Sequence, residues 1–152
     1  MQGSGLWWGV GALLVLAGAT VFYYNRLVFN RHRVAEAASG IDVQLKRRSS
    51  LIPALVECVR QYLGYEQQTL ERLVRERQRA EQLRDSPLGQ RAPVEAQLGS
   101  QLRQLFLLVE DYPELKADQR FRELQGSISE VENHIQMARR YYNGAVRELN
   151  VL

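Results

Sequence analysis

The chain contains few of the side chains that usually perform chemistry. It has one cysteine, Cys58, and two histidines, His32 and His134, which lie far apart in the sequence. A single cysteine excludes an intrachain disulfide and suits a reducing compartment. Two distant histidines do not make a metal-ligand spacing, and they leave few bases that could activate a nucleophile. We therefore predict no catalytic residue, no metal site and no cofactor.

Clustered glycine and a strong charge bias are also missing. The eleven glycines are scattered, so the chain has no glycine-rich phosphate loop. Its 20 Lys and Arg residues exceed its 17 Asp and Glu residues by a net charge of only +3, which does not indicate a nucleic-acid partner. No stretch alternates apolar and polar residues in the manner of a strand. The sequence predicts a non-enzymatic, all-α protein.

Charge is absent altogether from the first 25 residues. The mostly apolar residues 6–24 would cover about 29 Å as a helix, which is close to the hydrocarbon thickness of a bilayer. They predict a transmembrane helix after a short tail at 1–5. Aromatic side chains lie at both edges of the segment, where the membrane interfaces are expected: Trp7, Trp8, Tyr23 and Tyr24.

Basic residues follow the apolar segment but do not precede it. Arg26, Arg31 and Arg33 are therefore predicted to face lipid headgroups, and the positive-inside rule places residues 25–152 in the cytoplasm with the N-terminus outside. The alternative is a cleaved signal peptide, because Ala17-Gly18-Ala19 resembles a cleavage site. The missing basic n-region and the continued apolar run argue against cleavage.

The rest of the chain is predicted to form an elongated antiparallel bundle of three to four long helices with coiled-coil-like packing. Linkers are expected at 49–53, 84–89 and 111–114, each of which contains proline. At Pro53 either a new helix starts or one helix kinks. A helix from Leu51 to Arg84 is expected, with Gly64 as a possible bend. Asp118 is a candidate N-cap for the last helix.

The last helix carries the most regular pattern. Apolar residues from Phe121 to Leu149 recur in steps of three and four over four heptads. This seam can form the core of the chain's own bundle or an intermolecular coiled coil. The second alternative predicts a homo-oligomer.

Several stretches resemble the LemA family of bacterial membrane proteins. They include YNRLV at 24–28, IDVQLKRR at 41–48, ENHI at 132–135 and ARRYYN at 138–143. The resemblance implies a single-pass anchor in the bacterial cytoplasmic (inner) membrane and a cytoplasmic helical bundle. Some members resemble partners of membrane zinc metalloproteases, and one branch is associated with magnetosome membrane formation.

We expect a membrane-anchored scaffold or adaptor that contacts membrane lipids and self-associates. The alternatives are an accessory partner of a membrane metalloprotease and a membrane-remodelling homo-oligomer. Polar residues of the family-like segments are the candidate interaction groups: Asp42, Gln44, Lys46, Arg47, Arg48, Glu132, Asn133, Arg139, Arg140 and Asn143. The competing hypothesis is that they only bridge helices within one bundle.

Overall fold

A computed structural model describes residues 4–151, with side chains from Trp7 onward. Five helices follow one another along the chain: α1 at Ser4–Arg60, α2 at Gln67–Gln82, α3 at Leu88–Val109, α4 at Pro113–Ala117 and α5 at Gln119–Asn150. No strand occurs between residues 4 and 151. The predicted all-α fold is confirmed. Most of the predicted tail at 1–5, and Leu152, lie outside the described residues.

The chain divides into two compact units. The bundle unit is Ala38–Arg139, and the anchor unit is Met1–Ala37 together with Arg140–Leu152. In the bundle unit α1 and α5 run antiparallel, because Glu57 bonds to Arg120 whereas the earlier Arg48 bonds to the later Glu132.

The core of the bundle unit draws apolar side chains from all five helices. Fully burying one such side chain contributes about 1.5–3 kcal/mol of transfer free energy. The largest buried members include Ile52, Leu55, Leu63, Leu73, Leu98, Leu102, Leu105, Leu115, Phe121 and Ile128. The ring of Phe121 meets that of Phe106 edge-to-face, with centroids 6.3 Å apart. The first part of the α5 seam therefore packs inside the chain's own core.

The helix α1 continues through Pro53, so the predicted linker at 49–53 is wrong, and of the two alternatives at Pro53 the start of a new helix is excluded. Proline has no backbone N–H and leaves the carbonyl four residues earlier, that of Ser49, without its helical donor. The Nε of Arg77 donates to this carbonyl at 2.9 Å. A side chain from α2 thus replaces the hydrogen bond that proline removes.

This substitution of donors predicts a coupling between Arg77 and Pro53. We expect Arg77→Met to lower the free energy of unfolding by about 1–2 kcal/mol in the natural chain. In a Pro53→Ala background the Ser49 carbonyl regains a helical N–H, so the same change should cost less. A double-mutant cycle by chemical denaturation should give a coupling free energy of about 1 kcal/mol. Equal costs of Arg77→Met in both backgrounds would contradict this account.

The predicted helix from Leu51 to Arg84 is also wrong. The helix α1 ends at Arg60, and residues 61–66 form turns before α2 begins at Gln67. Backbone hydrogen bonds from Tyr62 and Leu63 to the Val59 carbonyl close the end of α1. Leu63 is buried there, so apolar spacing continues across the turn and hides it in the sequence.

The other predicted boundaries are confirmed. The segments 84–89 and 111–114 lie at the breaks between α2 and α3 and between α3 and α4. Asp118 caps α5, because its Oδ1 accepts the backbone N–H of Phe121 at 2.9 Å.

The apolar part of α1 belongs to the anchor unit and is exposed. Within the described residues α1 is the one helix long and apolar enough, by length and composition, to cross a membrane, and none of its apolar window is buried. The hydroxyl of Thr20 donates to the Leu16 carbonyl at 2.8 Å, so this polar group is satisfied within the helix. These features are consistent with single-pass anchoring.

Candidate functional site

A buried ion-pair network joins three helices of the bundle unit. Arg48 of α1 donates to Glu95 of α3 and to Glu132 of α5, each at 2.6 Å. Its Nη2 also donates to the Glu95 backbone carbonyl at 2.9 Å. The Arg48 side chain is only 2% exposed. A charge so deeply buried requires this pairing, because an isolated one would carry a large desolvation penalty.

A second arginine extends the network. Arg91 of α3 donates to Asp42 of α1 at 2.6 Å and lies 4.0 Å from the other oxygen of Glu95. Both Arg91 and Glu95 are 7% exposed. Glu95 is thus shared between two buried arginines, which helps to compensate its buried charge.

Gly99 makes room for this network. A Cβ at this position would lie 3.2 Å from Arg48 Nη1 and 3.6 Å from a Glu132 carboxylate oxygen. Because Gly99 has no side chain, the Arg48 guanidinium and the Glu132 carboxylate can meet beside the α3 backbone. A larger residue here would press on both partners.

A separate polar cluster surrounds Asp118. Tyr62 donates its hydroxyl to Asp118 at 2.9 Å, and the Cys58 sulfur lies 3.8 Å from the same carboxylate. The N–H of Phe121, with the Tyr62 hydroxyl, holds the pKa of Asp118 below its usual range. The hydrogen bond to Asp118 raises the pKa of Tyr62. Burial, and then the charge of Asp118, raises the pKa of the Cys58 thiol, which opposes a nucleophilic role.

The lowered pKa of Asp118 predicts that the free energy of unfolding depends on pH in the acidic range. The stabilisation should be complete above the unfolded pKa of about 3.9 and should disappear as the pH falls through the lower folded pKa. We expect Asp118→Asn to be less stable than the natural chain at neutral pH, with the difference shrinking below pH ~4. Unfolding free energies of both proteins across this range check it. A difference that stays constant into strong acid would argue against the assignment.

In the anchor unit Arg33 is engaged by other side chains. It forms an ion pair with Glu148, and its guanidinium carbon lies 6.0 Å from the centroid of the Phe29 ring. Hydrogen bonding to Tyr141, together with the charge of Glu148, raises the pKa of Arg33 above its ordinary value. Arg26 and Arg31 are exposed and pair with no acidic residue that the structure describes. The four aromatic residues predicted for the membrane interfaces, Trp7, Trp8, Tyr23 and Tyr24, are exposed as well.

The candidate interaction residues fall into three groups. Asp42, Arg47, Arg48 and Glu132 bond within the chain, and the Arg47–Glu130 pair at 3.3 Å is about half exposed. Gln44 and Arg139 are half-buried. The remaining members are exposed: Lys46, Asn133, Arg140 and Asn143. Among these ten residues, Arg48 and Glu132 are the pair that joins the two family-like segments directly across helices in the described part of the chain.

The sequence did not predict three residues of the network. Arg91 and Glu95 form an i, i+4 pair of opposite charge in α3, a pattern that also suits an exposed helix face. Gly99 sits in the interior of the same helix, where glycine is unfavourable. That glycine, one turn after Glu95, was the only local sign of a close approach.

Fold and site together define a class of protein. It is a helical bundle that is joined by buried intrachain ion pairs, and its first helix begins with an apolar stretch suited to a membrane. Within residues 4–151 no three His, Cys, Asp or Glu side chains come together as metal ligands.

Comparison with known proteins identifies the family of this chain. The family model described as "LemA family" matches residues 37–152, and the chain therefore belongs to the LemA family. Protein LemA of Metamycoplasma hominis is 26% identical over 138 aligned residues, and the match covers 86% of this chain and 62% of that relative. The chain thus spans about six tenths of the length of this curated relative. Neither description names an enzymatic activity.

Proposed function

We propose that the chain is a membrane-anchored, non-enzymatic scaffold that presents its helical bundle at the cytoplasmic face and self-associates. The proposal rests on the observation that charged side chains of the family-like segments pair with other residues of the same chain. Arg48 and Glu132 bond to each other, and Asp42 bonds to Arg91. Side chains committed in this way stabilise a bundle, and among the described residues no three His, Cys, Asp or Glu side chains come together as metal ligands.

The anchoring part of the proposal rests on α1. The apolar stretch and the first helix of the bundle unit belong to one helix, Ser4–Arg60, with no loop between them. Arg77 protects the one position, Pro53, at which this helix would be expected to break. Such an arrangement suits a protein whose task is to hold a bundle at a membrane.

The self-association part rests on exposed apolar side chains of the bundle unit. Tyr65 is fully exposed in the turn at 61–66, and Leu107 is 72% exposed in the last turn of α3. Exposed aromatic and aliphatic side chains act as anchors in protein interfaces when they enter a pocket of a partner. A second copy of the chain is the partner that this proposal requires.

Crosslinking of the full chain in membranes tests the proposal. The natural protein should give a closed series of sizes, and Tyr65→Ser with Leu107→Ser should weaken it. The matched control is Gln68→Ser with Gln104→Ser, which changes exposed polar residues of α2 and α3 and should leave the series unchanged. A natural chain that stays monomeric at every concentration contradicts self-association and directs the search to co-purifying partners.

A further inference from the structure

The net positive charge of the chain is confined to the anchor unit. Residues 1–37 and 140–152 contain five arginines and two glutamates, so their charge is +3 with histidine neutral. The whole chain carries the same +3, because the fifteen basic and fifteen acidic residues of the bundle unit cancel. The unit that contains the apolar segment is therefore the unit that attracts anions.

The C-terminal end of α5 belongs to the anchor unit. The Arg33–Glu148 ion pair sets residue 148 level with residue 33 of α1. Because α5 runs antiparallel to α1, residues beyond 148 lie nearer to the apolar segment. Val151 then lies level with about residue 30, roughly 9 Å along the helix axis from Tyr24. The headgroup layer extends about 5–8 Å beyond the hydrocarbon on each side, so the end of α5 comes close to it.

Three exposed arginines lie within reach of this layer. Arg26 and Arg31 follow Tyr24 by about 3 and 10 Å along α1, and Arg147 lies level with about residue 34. Charges within a Debye length of roughly 8–10 Å of an anionic surface are attracted to it, and arginine stems extend the reach of the charge. Arg140 lies two turns further away along α5, beyond this range. None of these arginines pairs with an acidic residue within the described part of the chain.

Exposed apolar side chains accompany these charges. Phe29 is 63% exposed and Val151 is 81% exposed, although neither belongs to the predicted transmembrane segment. An apolar side chain beside basic residues is the composition of surfaces that lie in the headgroup region. A soluble acidic partner would explain the arginines but not their position next to the apolar segment.

We propose that α1 just beyond the apolar segment and the C-terminal end of α5 together form a binding surface for anionic phospholipid headgroups. Arg26, Arg31 and Arg147 supply the positive charge, and Phe29 and Val151 contact the outer part of the bilayer. Arg33 is a positioning residue, because its ion pair with Glu148 joins α5 to α1. The inference deepens the proposed function and rests on its membrane anchoring.

Lipid retention by the full chain in mild detergent tests this surface. The protein is incubated with equal amounts of phosphatidylglycerol and phosphatidylcholine, repurified, and its retained lipids are quantified by mass spectrometry. Each basic residue near an anionic surface attracts it, so the three arginines together should enrich phosphatidylglycerol over phosphatidylcholine by at least about fivefold. We expect Arg26→Gln, Arg31→Gln and Arg147→Gln combined to reduce the enrichment to below about twofold.

A matched variant controls for the charge itself. Arg72→Gln, Arg75→Gln and Arg122→Gln combined remove three exposed arginines from the bundle unit and should retain the full enrichment. Arg147→Gln alone should lower the enrichment in part, which tests the contribution of α5. No enrichment in the natural chain, an equal loss in both triple variants, or no effect of Arg147→Gln would each overturn the proposal.

Two further measurements separate the remaining explanations. Excess inorganic phosphate at matched ionic strength should leave the lipid enrichment unchanged, and its selective loss in phosphate would instead mark a site for free phosphate. Resistance to alkaline extraction from membranes is measured for every variant. If all remain embedded, a lost lipid preference concerns this surface alone, whereas extraction of the natural chain would contradict the anchoring.

Discussion

Replacing Arg48 with methionine is expected to lower the free energy of unfolding by about 3–5 kcal/mol. The change keeps much of the apolar stem but removes the positive charge between two carboxylates. Glu95 would lose Arg48 at 2.6 Å and keep only Arg91 at 4.0 Å. Because Glu95 is only 7% exposed, water could not replace the lost partner. A loss of this size is a large share of the 5–15 kcal/mol that typical domains possess. Chemical denaturation followed by the loss of helical circular dichroism measures it.

The neighbouring residue supplies the control. Arg47 pairs with Glu130 at 3.3 Å, but both side chains are about half exposed, so Arg47→Met should cost no more than about 1 kcal/mol. Replacing Arg48, Glu95 and Glu132 together by apolar residues of similar volume should recover much of the loss, because no unpaired acid of the Arg48 cluster then remains. If Arg48→Met and Arg47→Met lowered the free energy of unfolding by similar small amounts, the network would not be what holds the three helices together.

Two arginines in the apolar segment should release the chain from the membrane. Leu13 and Leu16 are exposed to the surroundings of α1, so Leu13→Arg with Leu16→Arg would place two charges in the hydrocarbon. On an insertion scale each costs about 2.5–3.5 kcal/mol near the centre of a span. We expect most of the protein to move from the membrane to the soluble fraction after alkaline extraction.

The same chemical change elsewhere should leave membrane attachment intact. Val43→Arg with Leu107→Arg adds two charges at exposed positions of the bundle unit, one of them on α1 itself. This variant should stay in the membrane fraction as the natural chain does. Release of both variants would indicate misfolding rather than loss of an anchor, and retention of the Leu13→Arg with Leu16→Arg variant would contradict a transmembrane role for α1.

Features that depend on neighbouring residues were predictable from the sequence. The apolar segment, the seam of α5 and the capping role of Asp118 each follow from spacing within one helix or at its first turn. These three features can be predicted without knowing which side chains another helix contributes. The all-α fold was predictable for the same reason.

Features that depend on distant residues were not predictable. Continuity at Pro53 needs Arg77, which lies in another helix and supplies a donor that no local pattern reveals. The end of α1 at Arg60 falls inside an apolar pattern that Leu63 continues. The partners of Arg48 lie in α3 and α5, and only the packed bundle brings Glu95 to it. The sequence left open whether these charges form an interaction surface or bridge helices within the bundle, because nothing local distinguishes a buried ion pair from an exposed one.

The mass of the full chain in mild detergent tests the central claim most directly. Light scattering, with the detergent contribution subtracted, gives the protein mass of the complex. A membrane-anchored scaffold that self-associates should show one discrete multiple of the chain mass, and Tyr65→Ser with Leu107→Ser should shift it toward the monomer. A single monomeric mass at every concentration, for a chain that resists alkaline extraction, would contradict the scaffold while leaving the anchor intact.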